Sequence, residues 1–155
     1  MREIEFRGFD LDIKKWVYGG YHKHIKRQVA PFGDELKEED VQHLIVISGF
    51  ADWNMPRPLQ IATNIDKKSI GQYTGLKDKN GVKIFEGDIV KVYGRTFDNA
   101  LKYNIAKVIY LDSQFTLYIY NQYFAIYSDL CSNYEVIGNI YENKELLEAK
   151  NECRN

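Results

Sequence analysis

The chain is short of several things at once. It has two cysteines, Cys131 and Cys153, and Cys153 sits in a polar tail where a disulfide would have little to hold. Free thiols in a reducing cytosol are the expectation, because structural disulfides belong to oxidising compartments. Only three prolines and two methionines are present. No apolar run approaches the roughly 20 residues that span a bilayer. The opening MREIEFRGFD lacks a basic stretch followed by an apolar one, so a signal peptide is not expected, and a cytoplasmic location is. No excess of one charge exists either: the formal net charge is -1. Non-specific nucleic-acid affinity comes mainly from phosphate neutralisation, so no whole-chain bias toward nucleic acid follows. A phosphate-cradling glycine loop is missing as well, since Gly19-Gly20 is not followed by the lysine and hydroxyl residue that such a loop needs.

Aromatic residues are what the chain has in quantity, with 12 Tyr and 8 Phe among 155 residues, and hydrophobic residues make up 45%. That supplies a core, and with the Val and Ile content it favours strands. In IEFRGFD, Ile4 and Phe6 alternate. Asp10 to Lys15 then reads as a turn, and Trp16 and Tyr18 alternate on the return, which makes a β-hairpin. Gly19-Gly20 fits a bulge or bend. Residues 22–43 read as a polar connection, in which 34–42 fits a short solvated helix and a loop equally. His43 to Ser48 is a β-branched strand, and Leu59 to Thr63 fits another. Prolines and charge interrupt the pattern near 52–68, so a division into 1–68 and 69–155 is expected, unless the two parts form one integrated domain.

The second part is patterned more clearly. Ile70 to Thr74 and Val82 to Phe85 are strand-like and flank Asn80-Gly81, a strong turn signal. Glu86-Gly87-Asp88 is a second tight turn into Ile89 to Tyr93. Ile105 to Leu111 and Phe115 to Tyr120 form a hairpin across Asp112-Ser113-Gln114. Tyr134 to Tyr141 is the last strand, with Gly138 suited to a bulge or corner, and Asn143 is placed to cap a short helix over Lys144 to Lys150. Several short strands at regular spacing predict a mainly β fold with a small barrel.

Three blocks resemble one family. Gln72 to Val90 (QYTGLKDKNGVKIFEGDIV) is similar to the hallmark segment of the YopX-like phage and prophage proteins. Phe6-Arg7-Gly8-Phe9-Asp10 with Lys15-Trp16 resembles the family's N-terminal pattern, with Gly8 where alanine is common. Tyr134 to Asn143 resembles its C-terminal segment, with Lys144 where proline is common. The resemblance implies phage or prophage origin and an SH3-like β-barrel in the C-terminal half. It implies no activity, cofactor or catalytic residue, and a fold of that type hosts many functions.

The run Glu86-Gly87-Asp88-Ile89-Val90-Lys91-Val92 resembles strands of nucleic-acid-binding SH3-like barrels, but it reads more simply as a strand entry in which Gly87 takes positive φ and Asp88 bonds backbone amides. His22 and His24 share a strand face and could begin a metal site, with His43 or an acid from 34–40 as a third ligand. No spacing fixes that third ligand. Tyr21, Lys23, Lys26 and Arg27, with the histidines between them, form the best local nucleic-acid candidate. Asp10 and Asp12 fit a turn better than acid–base work, Glu38, Glu39 and Asp40 fit a solvated face, and Cys131 fits a buried small residue. No carboxylate pair lies in an apolar context that would tune a pKa, so no catalytic, cofactor or metal residue is assigned. Tyr118, Tyr120 and Tyr123, within an aromatic stretch running to Phe124 and Tyr127, are the strongest interface candidates, because exposed tyrosine is common at protein contacts. The function expected is a non-enzymatic accessory protein that contacts phage or host proteins or itself. A nucleic-acid-binding barrel is the alternative.

Overall fold

The computed structural model describes residues 3–26, 36–48, 60–95, 101–127 and 133–148. The fold is mainly β, in two antiparallel sheets with one short C-terminal helix. The chain divides into two compact units, Ile4–Gly71 and Gln72–Asn155, and the second also takes in Glu3.

In the N-terminal unit the strands are β1 (Phe6–Phe9), β2 (Trp16–Ile25), β3 (Val41–Ser48) and β4 (Gln60–Asn64), which lie in the order β4-β3-β2-β1. The expected hairpin is present. Phe9 pairs with Trp16, and Asp10 accepts from the Asp12 and Ile13 amides at 2.7 and 2.9 Å, which closes the turn. A short 3-10 turn, Lys67–Ser69, is tied to β1 by the Phe9 amide donating to Ser69 Oγ at 2.7 Å. Val17, Ile45 and Ile65 are the buried apolar centre, with Phe6, Tyr21, Ile47 and Ile70 packed around them. Gly8 lies against this centre: a Cβ there would stand 2.9 Å from Ile65 Cβ.

Two expectations fail in this unit. Residues 22–25 are not a polar connection. They continue β2 and pair with β3, from Gly20 opposite Val46 to Ile25 opposite Val41. The backbone ladder with a β-branched partner strand overrides the polarity of His22, Lys23 and His24. Gly19-Gly20 is not a bulge either, since β2 runs through both. Gly19 is a close-approach position, where a Cβ would come within 2.3 Å of the Val46 carbonyl oxygen. The stretch Glu38–Asp40 is a single 3-10 turn.

The C-terminal unit has β5 (Gly71–Lys77) and β6 (Lys83–Phe85) as a hairpin. Its five-stranded sheet has the order β10-β9-β8-β7-β11 and is built from β7 (Asp88–Arg95), β8 (Leu101–Leu111), β9 (Gln114–Ile119), β10 (Gln122–Ala125) and β11 (Tyr134–Asn139). Ile84, Val90, Ala106, Val108, Leu117, Ile119 and Tyr134 form its core. Phe115, Leu117 and Ile119 face that core, as their alternation predicts. β10 and β11 are the sheet's two edges, and no strand pairing joins them among the described residues.

The hallmark segment is a set of backbone fasteners. Asp78 Oδ1 accepts from the Asn80 and Val82 amides at 2.8 and 2.9 Å, and Oδ2 accepts from the Val136 amide of β11 at 3.0 Å. Asp88 Oδ2 accepts from the Phe85 amide at 2.7 Å, and Thr74 donates to the Ile84 carbonyl at 2.8 Å. Gly81 and Gly87 both take φ +81°, the conformation expected of their turns. The bulge expected at Gly138 is also present, as a register shift between Val136 and Gly138. Asn143 behaves differently from the expected cap. Its Oδ1 turns back to accept from the Asn139 amide at 3.3 Å, and α1 (Glu145–Glu148) begins two residues later.

Candidate functional site

The tyrosine candidates gather on one hairpin. β9 and β10 are joined by Tyr120 and Asn121, with φ of 49° and 61°. Two consecutive residues at positive φ make the tight turn whose twist matches paired strands. Tyr120 is therefore the turn residue and not the end of β9. The strand after it has no sequence signal, because the turn carries no glycine. Tyr118 and Tyr123 sit opposite each other with ring centroids 5.2 Å apart. The Tyr118 hydroxyl donates to Asn121 Oδ1 at 2.8 Å, and the Tyr120 hydroxyl donates to Asn104 Oδ1 at 3.2 Å. Tyr123, Phe124 and Tyr127 are 58%, 46% and 59% exposed, an apolar strip at the sheet edge. The neighbouring Tyr118 and Tyr120 are held by these hydrogen bonds, so their rings have less rotamer entropy to lose on contact.

Of the basic run, two residues share a strand face. On β2, Tyr21 and Lys23 point to one face, while His22 and His24 point to the other. The Tyr21 hydroxyl lies 2.7 Å from His43 Nδ1, and the rings stack at 5.9 Å. Burial raises the Tyr21 pKa against the opposing pull of Lys67, and burial lowers the His43 pKa, helped by Lys67 and Lys23. The Tyr21 hydroxyl is therefore engaged by the His43 ring, on which it also stacks. Lys26 Nζ donates to the Glu39 carbonyl at 3.1 Å. Arg27 lies outside the described residues, as do Cys131 and Cys153.

His22 and His24 keep a shared face, with rings 6.2 Å apart. His43 cannot complete a site with them, because it pairs opposite Lys23 and so faces the other way. Among the described residues no three His, Cys, Asp or Glu side chains are grouped to hold a metal ion. A cleft of about 560 Å³ on the His24 face is lined by Asp10, Asp12, Gln42 and Asn64. The Asp10 carboxylate in it is already engaged by turn amides. On the opposite face a smaller hollow of about 270 Å³ is lined by Lys23, His43 and the Lys67–Glu38 ion pair.

One polar cluster had no signal in the sequence. Lys79 Nζ lies 3.0 Å from Glu135 Oε2 and 4.3 Å from the centre of the Tyr93 ring, and the Tyr93 hydroxyl donates to the same carboxylate. These bonds, that of Tyr93 first, hold the Glu135 pKa down, and Glu135 raises that of Lys79. The pairing of β11 with β7 sets Glu135 opposite Lys91, and Lys91 lies over Tyr103 at 4.9 Å. Only strand register brings these residues together.

A search of curated proteins finds no match. Among solved structures, the crystal structure of protein EF1440 from Enterococcus faecalis is similar at 26% identity and a TM-score of 0.50, covering 95% of this chain and 99% of that one. The family model described as YopX protein matches residues 5–148. That span includes all three blocks and every candidate residue discussed above, and the chain belongs to the YopX family.

Proposed function

We propose that this chain is a non-enzymatic phage or prophage accessory protein that acts through protein–protein contacts, self-association among them, in the cytoplasm of its bacterial host. The exposed aromatic residues Tyr123, Phe124 and Tyr127 at the β10 edge carry this reading. Tyrosine and phenylalanine presented from a rigid edge supply large contact area at low entropic cost. The carboxylates of the recognisable motifs add support: Asp10, Asp78 and Asp88 are committed to backbone amides.

We also read the C-terminal unit as SH3-like. β7 to β10 follow one another as a meander, and β11 returns to pair with β7. The meander order supports this reading, while the sheet itself is open among the described residues, with β10 and β11 as unjoined edges. The alternative, a nucleic-acid-binding barrel, is less well supported. Its basic run is divided between two sheet faces, and Tyr21 is engaged by His43.

Light scattering across a concentration series, with a pull-down from infected host lysate, tests the proposal. The expected result is a mass above the monomer, a retained partner, or both. A strict monomer that retains no protein, yet binds DNA or RNA with steep salt dependence, overturns it in favour of the alternative.

A further inference from the structure

The two-residue turn at Tyr120-Asn121 fixes which backbone groups of β10 are free. In such a hairpin the closing pair, Ile119 and Gln122, exchanges hydrogen bonds, and bonded and non-bonded pairs then alternate. Leu117–Phe124 is therefore a bonded pair, while Tyr118–Tyr123 and Thr116–Ala125 are not. Tyr123 and Ala125 thus direct their N–H and C=O groups away from β9, along the outer edge of the sheet.

The sheet's two edges differ. Exposed edges are normally blunted by charge, proline or a bulge, because a bare edge recruits another strand. β11 has such devices in Glu135 and the bulge before Gly138. β10 has none, and from Gln114 to Tyr127 there is neither a charged residue nor a proline.

This edge is also complementary to itself. Two copies of β10 laid antiparallel about a two-fold axis through Phe124 place Tyr123 opposite Ala125 of the second copy, and Ala125 opposite its Tyr123. Both pairs exchange N–H···O bonds through the outward groups. Each tyrosine covers a small residue, and the two Phe124 side chains meet at the axis as a non-bonded pair, the closer type. No like charges are brought together. Such an interface is isologous and closed.

We propose that the protein forms a two-fold dimer by antiparallel pairing of β10 with β10 of a second copy, joining two five-stranded sheets into one. This rests on the self-association part of the proposed function.

The test uses the full chain with Cys131→Ser and Cys153→Ser. Cα atoms of a non-bonded antiparallel pair lie about 4.5 Å apart, within disulfide reach. Phe124→Cys should cross-link to a covalent dimer under mild oxidation, while Ser113→Cys, at the distant β8–β9 turn, should not. Phe124→Lys, which sets two ammonium groups face to face, should raise the dimer dissociation constant about tenfold or more by light scattering. Ala125→Pro removes an outward N–H that β9 does not use, so it should block pairing with the circular dichroism of the fold retained. A wild-type dimer that neither cross-links through Phe124→Cys nor responds to Phe124→Lys or Ala125→Pro overturns this interface and leaves self-association standing. A monomer at every concentration that still captures a host protein overturns the dimer and leaves protein contact standing. A monomer that captures nothing overturns both.

Discussion

The hallmark segment Gln72 to Val90 and the aromatic hairpin Gln114 to Tyr127 belong to the same unit, and both are strands joined by tight turns. They use their side chains in opposite directions. In the first, Asp78, Asp88 and Thr74 turn inward to satisfy backbone groups, and Gly75, Gly81 and Gly87 supply positive φ. In the second, the positive-φ positions are Tyr120 and Asn121, with Asp112 and Ser113 in the turn just before it, residues that adopt it at some cost, and Tyr123, Phe124 and Tyr127 face solvent at the edge. A segment whose side chains serve its own backbone tolerates few residue types and is easily recognised. A segment that presents side chains outward is not held to residue types by its own backbone, and its pattern need not announce itself.

The strongest way to break this contrast is at Asp78. Asp78→Ala strands three amides, one of them in β11. A buried unsatisfied donor costs roughly 1–3 kcal/mol, and the turn relaxes only in part, so the expected loss is about 3–4 kcal/mol in urea unfolding. A loss below about 1 kcal/mol would mean that water replaces the carboxylate and that the motif is not a structural fastener. Gly81→Ala should cost less. Nothing lies within 4 Å of the added Cβ and φ is +81°, so the penalty is conformational alone, about 1 kcal/mol.

The hairpin should answer with the opposite sign. Tyr120→Asn places a residue tolerant of positive φ where a tyrosine now sits. Thermal unfolding should show a gain of about 0.5 kcal/mol, after the loss of the exposed hydrogen bond to Asn104. If stability falls by 1 kcal/mol or more, then Tyr120 is a structural residue like Asp78 and the contrast fails.

These two regions also explain what could be read in advance. Asn80-Gly81, Glu86-Gly87-Asp88, the Asp10 turn and the Gly138 bulge were legible because glycine and aspartate at such places have few other uses. The Phe115, Leu117 and Ile119 stripe was legible by period. β10 was not, because Tyr120-Asn121 turns the chain without a glycine. Nor was the extension of β2 through His22 to Ile25, which is exposed there and is specified by pairing with β3. The Lys79–Tyr93–Glu135 cluster depends on register between distant strands, and the bare edge at β10 depends on strand order. Neither register nor order is a local property of sequence.

The smallest effect tests whether the N-terminal unit also turns its polar groups inward. Burial, then Lys67, then Lys23, hold the His43 pKa below its ordinary 6.5, while Glu38 pulls the other way. The unfolded chain therefore binds a proton at His43 more readily than the folded one. The contribution of the neutral ring to stability is complete above pH 6.5, and it declines as pH falls from there toward the folded-state midpoint. Imidazole NMR should place that midpoint below the free-histidine value. Lys67→Ala removes one repelling charge and frees Glu38, and both changes push the midpoint upward. Tyr21→Phe removes the hydrogen-bond partner of His43 Nδ1 and should also shift the midpoint. If neither variant moves it, Tyr21 and His43 are not coupled to each other or to the lysines. Tyr21 would then be free to stack on a base, and the basic run of β2 would regain its claim as a contact surface.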